Sequence, residues 1–219
     1  MLKELAIFDL DNTLLAGDSD YLWGVFLVEQ GIVDRGHYER ENLRYYEQYQ
    51  AGTLNIREFL DFQLRPLAQH DARTLLAWRE RFMREKIAPI MLPKARALIE
   101  SHRRRGHSLL IISATNRFIT GPIAEAYGVP DLLASEPEMK DGRYTGKVAG
   151  IPCYREGKVA RLEQWLRGKG ITPDESWFYS DSHNDIPLLE KVTHPVAVDP
   201  DAQLMEYAQK KDWAVMSLR

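Results

Sequence analysis

The sequence predicts an α/β fold, a parallel sheet flanked by helices and interrupted near its start by a helical insertion. Short apolar runs of the kind that fill a sheet covered on both faces recur at 5–8, 108–112, 177–180, 195–198 and 213–216. Between the first two of these runs, residues 16–90 turn helical in pattern and hold no convincing strand. A chain of 219 residues is long for one compact unit and short for two ordinary ones. A discontinuous core of residues 1–15 and 91–219 around an inserted segment of residues 16–90 resolves that mismatch.

Each element has its own justification. The first run, Leu5 to Phe8, stops at Asp9, as a buried strand does when it reaches solvent. The insertion carries eleven of the 22 aromatic residues, among them Tyr21, Trp23, Phe26, Tyr45, Tyr46 and Tyr49. Helices without a sheet to cover need bulky faces to pack on one another. Pro93 suits a first helical turn, Ala95, Leu98, Ile99 and His102 recur at helical spacing, and Arg103-Arg104-Arg105-Gly106 closes the helix. Lys140-Asp141-Gly142-Arg143 carries the Asp-Gly signal of a tight hairpin. Val159, Leu162, Trp165 and Leu166 give one apolar face to a helix that begins near Lys158.

Composition narrows the function classes. Lysine and arginine total 29 against 32 aspartates and glutamates, a net charge of −3, so a general binder of nucleic acid or anionic membrane is not expected. No stretch approaches the ~18 apolar residues of a membrane span, and the apolar run at the start is too short for a signal peptide. The single cysteine, Cys153, can form neither an internal disulfide nor a thiolate metal site, which points to a reducing compartment, the cytoplasm.

Four strand ends carry chemistry-bearing residues. In Asp9-Leu10-Asp11-Asn12-Thr13, two aspartates one residue apart point the same way from an extended segment. One can hold a hard cation and attack while the other moves a proton, although turn and cap aspartates make similar pairs. Ser113-Ala114-Thr115-Asn116 follows the second run, either as a phosphate cradle at a helix start or as an ordinary N-cap. Lys158 lies where a helix dipole disfavours a cation, so it is either a solvated surface group or one compensated by a nearby anion. Asp181-Ser182-His183-Asn184-Asp185 adds two more carboxylates of the type magnesium prefers, and too few His and Cys for zinc. In an open α/β sheet, ligands gather at the carboxyl ends of strands, where all four segments fall.

Together these segments resemble the haloacid dehalogenase-like superfamily, specifically its phosphoserine-phosphatase-like branch with a helical cap between the first two motifs. Asp9-Leu10-Asp11-Asn12-Thr13 matches the DxDxT motif, and Ser113, Lys158 and Asp181 with Asp185 match the other three. The resemblance implies a Rossmann-like core and a Mg2+-dependent phosphomonoester hydrolase working through an aspartyl-phosphate. Asp9 would be the nucleophile and Asp11 the general acid and base. Asp9, the Asp11 carbonyl and Asp181 would hold the metal, with Asp185 assisting from behind. Ser113, Ala114, Lys158 and Asn184 would contact the phosphate or substrate. An acid/base aspartate at position 11 separates the chain from the dehalogenases, and Leu10 separates it from the transport ATPases. Departures occur where Ser180, Ser182, Ala114 and Thr115 replace glycines usual in the family.

The substrate is read from the insertion. Asp18 matches in position the cap glutamate with which phosphoserine phosphatases hold an amino group, and Asp20 lies close by. An amino-bearing phosphate ester is therefore expected, with histidinol phosphate or phosphoserine leading, unless Asp18 merely caps a helix starting near Ser19. The carboxylate of phosphoserine would also want a cation, for which Arg44, Arg57 and Arg65 are candidates. A phosphomutase, a phosphotransferase and a non-catalytic module on the same fold are the rival readings.

Overall fold

The first strand of the computed structural model, β1 (Leu5–Phe8), is central because every one of its side chains is buried, leaving no face for water. The structure describes residues 4–219, so the first three residues of the expected core segment lie outside the described residues. To one side of β1 lie β2 (Ser108–Asn116), β3 (Asp131–Lys140) and β4 (Arg143–Ala149). To the other lie β5 (Ser176–Ser180), β6 (His194–Val198) and β7 (Ala214–Met216), completing a seven-stranded sheet of order β4-β3-β2-β1-β5-β6-β7. All pairings are parallel except β3 with β4, which form the expected hairpin. Asp141 and Gly142 at its tip both have positive φ, the conformation a tight two-residue turn demands.

Strand order reverses at β1, which is flanked by β2 and β5, so the crevice of a doubly wound sheet opens at the end of β1. Phe8 is in register with Ile111 on one side and Tyr179 on the other, which sets Asp9, Ser113 and Asp181 at three adjacent strand ends. Alternation along the strands splits the apolar side chains between two clusters. Leu5 and Ile7 join Leu110, Ile112 and Phe178 on one face, while Ala6 and Phe8 join Leu109, Ile111 and Tyr179 on the other.

Between β1 and α5 (Pro93–Arg104) the chain forms α1 (Ser19–Glu29), α2 (Arg35–Gln50), α3 (Ile56–Gln69) and α4 (Ala72–Phe82), then a π-helical turn over Met83–Ile87. The insertion has no separate core. Trp23, Phe26 and Phe82 pack on one another and on Phe118 of α6 (Arg117–Tyr127), within the cluster that covers the Phe8 face of the sheet. The two crossings into and out of the insertion run side by side. Leu15 bridges Met91, the Ala16 N–H donates to Ile90 O at 2.8 Å, and the Leu92 N–H donates to Leu14 O at 3.3 Å.

One expectation changes in detail. The strand that should stop at residue 112 continues to Asn116, and α6 begins only at Arg117. Ser113 therefore lies on extended backbone and is not the start of a helix. A register shift between Ile112 and Asn116 marks the point where β2 leaves regular pairing with β3.

A buried polar chain crosses the Phe8 face, away from the strand ends. His102 Nε2 is 2.8 Å from the Tyr179 hydroxyl, its Nδ1 is 2.9 Å from His107 Nδ1, and His107 Nε2 is 2.6 Å from Glu4. Tyr179 donating to His102, His102 to His107 and His107 to Glu4 satisfies every ring nitrogen with neutral His102. Burial, then the proximity of His107 and Arg105, lowers the His102 pKa to about 4. The unfolded chain therefore binds a proton here that the native state refuses, and stability falls as pH drops from about 6.5 toward 4. Urea unfolding midpoints followed from pH 7 to pH 4.5 should fall less steeply in His102→Phe than in the native chain. The difference should approach about 1.4 kcal/mol per pH unit, and parallel slopes would show that His102 is not held neutral.

Candidate active site

Lys158 is the cation that meets the strand-end carboxylates Asp9 and Asp185, and backbone geometry puts it there. It lies in the first turn of α7 (Glu156–Lys169), directly after Gly157. A β-carbon at Gly157 would overlap the Pro152 carbonyl, so only glycine lets this helix start so close to the preceding loop. The Lys158 ammonium is 2 % exposed and lies 2.7 Å from both Asp9 Oδ1 and Asp185 Oδ2. Burial alone would strip its proton, but attraction to Asp185 and Asp9 more than offsets that cost and raises its pKa. The compensating anion that its position near a helix N-terminus requires is thus a pair of aspartates.

The remaining carboxylates are tied by hydroxyls and backbone. Thr13 Oγ1 lies 3.2 Å from Asp9 Oδ2 and 3.0 Å from Asp181 Oδ1, and it accepts the Asp181 N–H at 3.0 Å. Its single proton is shared between the two acids. Asp185 accepts from Ser180 Oγ at 2.7 Å as well as from Lys158, so the serine that replaces a family glycine is a ligand of the fourth-motif acid. Asp11 accepts from the Ser19 N–H at 2.6 Å, from Thr115 Oγ1 at 2.9 Å and from Ser113 Oγ at 3.4 Å. The first of these donors belongs to the insertion and the other two to β2.

This arrangement holds more negative charge than one lysine offsets. Burial pushes the Asp9 carboxyl up to about 7, in opposition to Lys158 and reinforced by Asp185 and Asp11. Burial and Asp9 likewise hold Asp181 well above the ordinary carboxylate range. Asp11 is raised to about 6 by burial and by Asp18, with the hydrogen bonds from Ser19 and Thr115 opposing. Among the described residues no group of three His, Cys, Asp or Glu side chains is gathered round one metal position. The two carboxylates of Asp9 and Asp181, joined through Thr13, nevertheless offer only oxygen donors. Their excess negative charge suits Mg2+, which keeps several of its own waters.

A pocket opens from Asp9, Asp11 and Ser113 toward the insertion. It is lined by the rings of Tyr21, Tyr45, Tyr46, Tyr49 and Phe59 and by the polar side chains of Asp20, Asn42 and Gln63. Ala114 and Thr115 also line it. None of Arg44, Arg57 and Arg65 does, and Arg44 is spent on Glu41 at the surface. Asp18 lines the pocket, yet its Oδ1 accepts the N–H groups of Asp20 and Tyr21 at 2.9 Å each and caps α1. The capping role weighed against substrate binding for Asp18 is thus present in the fold.

Asn184 is placed differently from the expectation. It does not line the pocket; its amide donates to Tyr49 O at 3.0 Å and its carbonyl accepts from the Tyr154 hydroxyl at 2.9 Å. Beside it, Arg155 Nη1 donates to Gly52 O at 3.0 Å. These bonds fasten the end of α2 to the core loops, so Asn184 joins insertion to core. Thr115 and Ser180 are hydrogen-bond partners of Asp11 and Asp185 to which motif reading gave no role. For Thr115 the only signal was its two-residue spacing from Ser113, which puts both hydroxyls on one side of an extended strand.

Comparison with known proteins agrees with this geometry. A family model described as haloacid dehalogenase-like hydrolase matches residues 6–190. A histidinol-phosphatase of Neisseria meningitidis serogroup C is 44% identical over 222 residues, covering 100% of both chains. A solved structure of a protein of unknown function from Bordetella pertussis Tohama I superposes with a TM-score of 0.94 at 45% identity, covering 100% of both chains. A phosphoserine phosphatase solved as a phospho-aspartyl intermediate analogue shares the fold, with a TM-score of 0.72 at 20% identity over 100% of this chain and 95% of its own. The chain belongs to the haloacid dehalogenase-like hydrolase family and is a phosphatase of that family.

Proposed function

We propose that the chain hydrolyses a small phosphate monoester whose leaving group carries a cationic amine and no carboxylate. The observation that supports this reading most is the charge of the pocket. Asp11, Asp18 and Asp20 line it, and among the described lining residues there is neither lysine nor arginine. An ammonium group is attracted to such a wall, whereas the carboxylate of phosphoserine would be desolvated with no cation to meet it. Histidinol phosphate, an amino-alcohol ester, fits this requirement, and the name of the Neisseria relative supports the same choice.

In this reading residues 16–90 act as a cap over a core of residues 1–15 and 91–219. A carboxylate oxygen of Asp9 attacks phosphorus while Asp11 gives its proton to the departing alkoxide, leaving an aspartyl-phosphate and the free alcohol. Asp11, now ionised, takes a proton from a water molecule whose oxygen then displaces Asp9 from phosphorus. Inorganic phosphate leaves and both acids return to their starting states. A pKa of about 6 suits Asp11 for giving and taking a proton near neutral pH. Ser113 Oγ and the Ala114 N–H hold phosphoryl oxygens, and Lys158 keeps Asp9 anionic as the phosphate approaches. Asp9, Asp181 and the Asp11 carbonyl, with Asp185 behind them, would hold Mg2+, which would supply positive charge to offset the charge of the phosphate. The lone buried Cys153 accords with a cytoplasmic setting.

Phosphate release with magnesium across amino-alcohol, amino-acid, sugar and nucleotide monophosphates tests the proposal. Amino-alcohol esters should lead by kcat/KM, and preference for neutral sugar phosphates would refute it. Asp9→Asn should reduce turnover to trace, and equal rates in the variant and the native chain would mean that the fold serves binding alone. Asp11→Asn should lose about 10²–10⁴-fold in kcat. Thr115→Val removes a hydrogen bond to a buried carboxylate, so kcat should fall about tenfold or more with KM nearly unchanged.

A further inference from the structure

Asp20 takes no part in the bond-making and bond-breaking steps above, yet it is the least satisfied charged group of the pocket. It is 4 % exposed, and neither of its carboxylate oxygens has a hydrogen-bond partner among the described residues. The polar groups nearby are committed elsewhere. The Tyr38 hydroxyl donates to Gln63 Oε1 at 3.2 Å, Gln63 Nε2 donates to Asn42 Oδ1 at 3.3 Å, and Asn42 Nδ2 donates to Tyr21 O at 3.1 Å. That chain leads from one amide to the next and ends on the backbone without reaching Asp20. Gly24 contributes to its rigidity, since a β-carbon there would lie 2.7 Å from Asn42 Nδ2. The charges that act on Asp20 most strongly are those of Asp18 and Asp11, both negative, and with burial they hold its pKa well above the usual range. A buried carboxylate with no donor and no cation is unfavourable in a folded chain unless something else supplies both.

The position of Asp20 narrows what that something is. It lines the pocket together with the rings of Tyr45, Tyr46 and Phe59, and the acids that bear on it are Asp18 and Asp11, whereas Asp9 bears on Asp18. A carboxylate among aromatic faces selects a nitrogen that is positively charged or carried in a planar N–H ring, because both surroundings favour such a group. Asp18, by contrast, already uses Oδ1 on the first turn of α1, which leaves only its second oxygen for a ligand.

We infer that Asp20 is the specificity-determining residue of the pocket, pairing with a cationic or N–H-bearing nitrogen at the end of the leaving group farthest from the phosphate. The inference rests on the phosphatase reading above and assigns to Asp20 the discrimination that motif position would give to Asp18. The leaving group then meets two acids, Asp18 and Asp20. A nitrogen on each end of a short carbon chain is the pattern that satisfies both.

Asp20→Asn and Asp20→Leu separate this role from a structural one. With histidinol phosphate and magnesium, both variants should lose at least about thirtyfold in kcat/KM, the loss expected when one partner of a buried charge pair is removed. With p-nitrophenyl phosphate, which has no cationic nitrogen, they should stay within about threefold of the native chain. Thermal midpoints should hold or rise, because a lone buried charge is removed without a partner being lost. Calorimetry with histidinol itself, on Asp9→Asn as the background, should show binding that Asp20→Asn abolishes, independently of turnover. Equal losses on both esters, or a marked fall in thermal midpoint, would make Asp20 a structural residue and overturn the inference. Unchanged kinetics on histidinol phosphate, or undiminished histidinol binding, would overturn it too. The phosphatase reading fails separately, if the native chain is no faster than Asp9→Asn on any ester.

Discussion

The ammonium of Lys158 is the contact on which the strand ends depend. Asp9, Asp11, Asp181 and Asp185 converge because a doubly wound sheet brings the ends of its central strands together, and the fold then has to keep like charges from driving that junction apart. A lysine within 2.7 Å of two of them answers part of the repulsion, and Ser180 and Thr13 answer part of the rest. Truncating one member of a buried ion pair leaves an uncompensated charge, typically a loss of about 3–5 kcal/mol, so the lysine cannot be shortened without consequence. Its helix therefore starts tight against the Pro152 carbonyl, with glycine at the point of closest approach. Burial first, and then the unanswered part of this repulsion, keeps the pKa values of Asp9 and Asp181 raised.

The helical insertion is joined to this centre by packing and by polar contacts. Trp23, Phe26 and Phe82 lie in the cluster that covers the Phe8 face of the sheet, so the insertion shares the apolar interior of the core. Asn184 and Arg155, each within a few residues of a charged group of the site, hold the backbone of Tyr49 and Gly52. The aromatic wall of the pocket is thereby positioned by the same loops that carry the fourth motif and lead into the Lys158 helix.

Much of this was legible in the sequence because it is local. Four-residue apolar runs, an Asp-Gly turn and a proline in a first helical turn each report on their own neighbourhood, and the strands, the β3–β4 hairpin and α5 follow them closely. Three of the four motif segments could be placed at strand ends for the same reason, whereas Lys158 lies in the first turn of α7. What escaped is long-range. Thr115 meets Asp11 across 104 positions and Asn184 meets Tyr49 across 135, and neither pairing leaves a mark in local composition. The extension of β2 to Asn116 escaped because Ser113 to Asn116 reads as a capping segment, while pairing with β3 resumes at Asn116 with Ser135. Asp18 and Asp20 are indistinguishable as letters, and only the hydrogen bonds at the start of α1 show which of them is occupied.

The shortest hydrogen bond to Asp11 comes from the backbone of Ser19, the first residue of the first inserted helix. The seam between the two parts of the molecule thus runs through a single carboxylate, whose oxygens face Ser19 on one side and Thr115 on the other. A recombinant that exchanged the whole inserted segment between relatives would exchange one of the donors that set the acidity of Asp11. Under the proposed mechanism, selectivity and proton transfer are therefore inherited together at this position, and a lineage that changed its leaving group by replacing α1 would have to retune its acid in the same step.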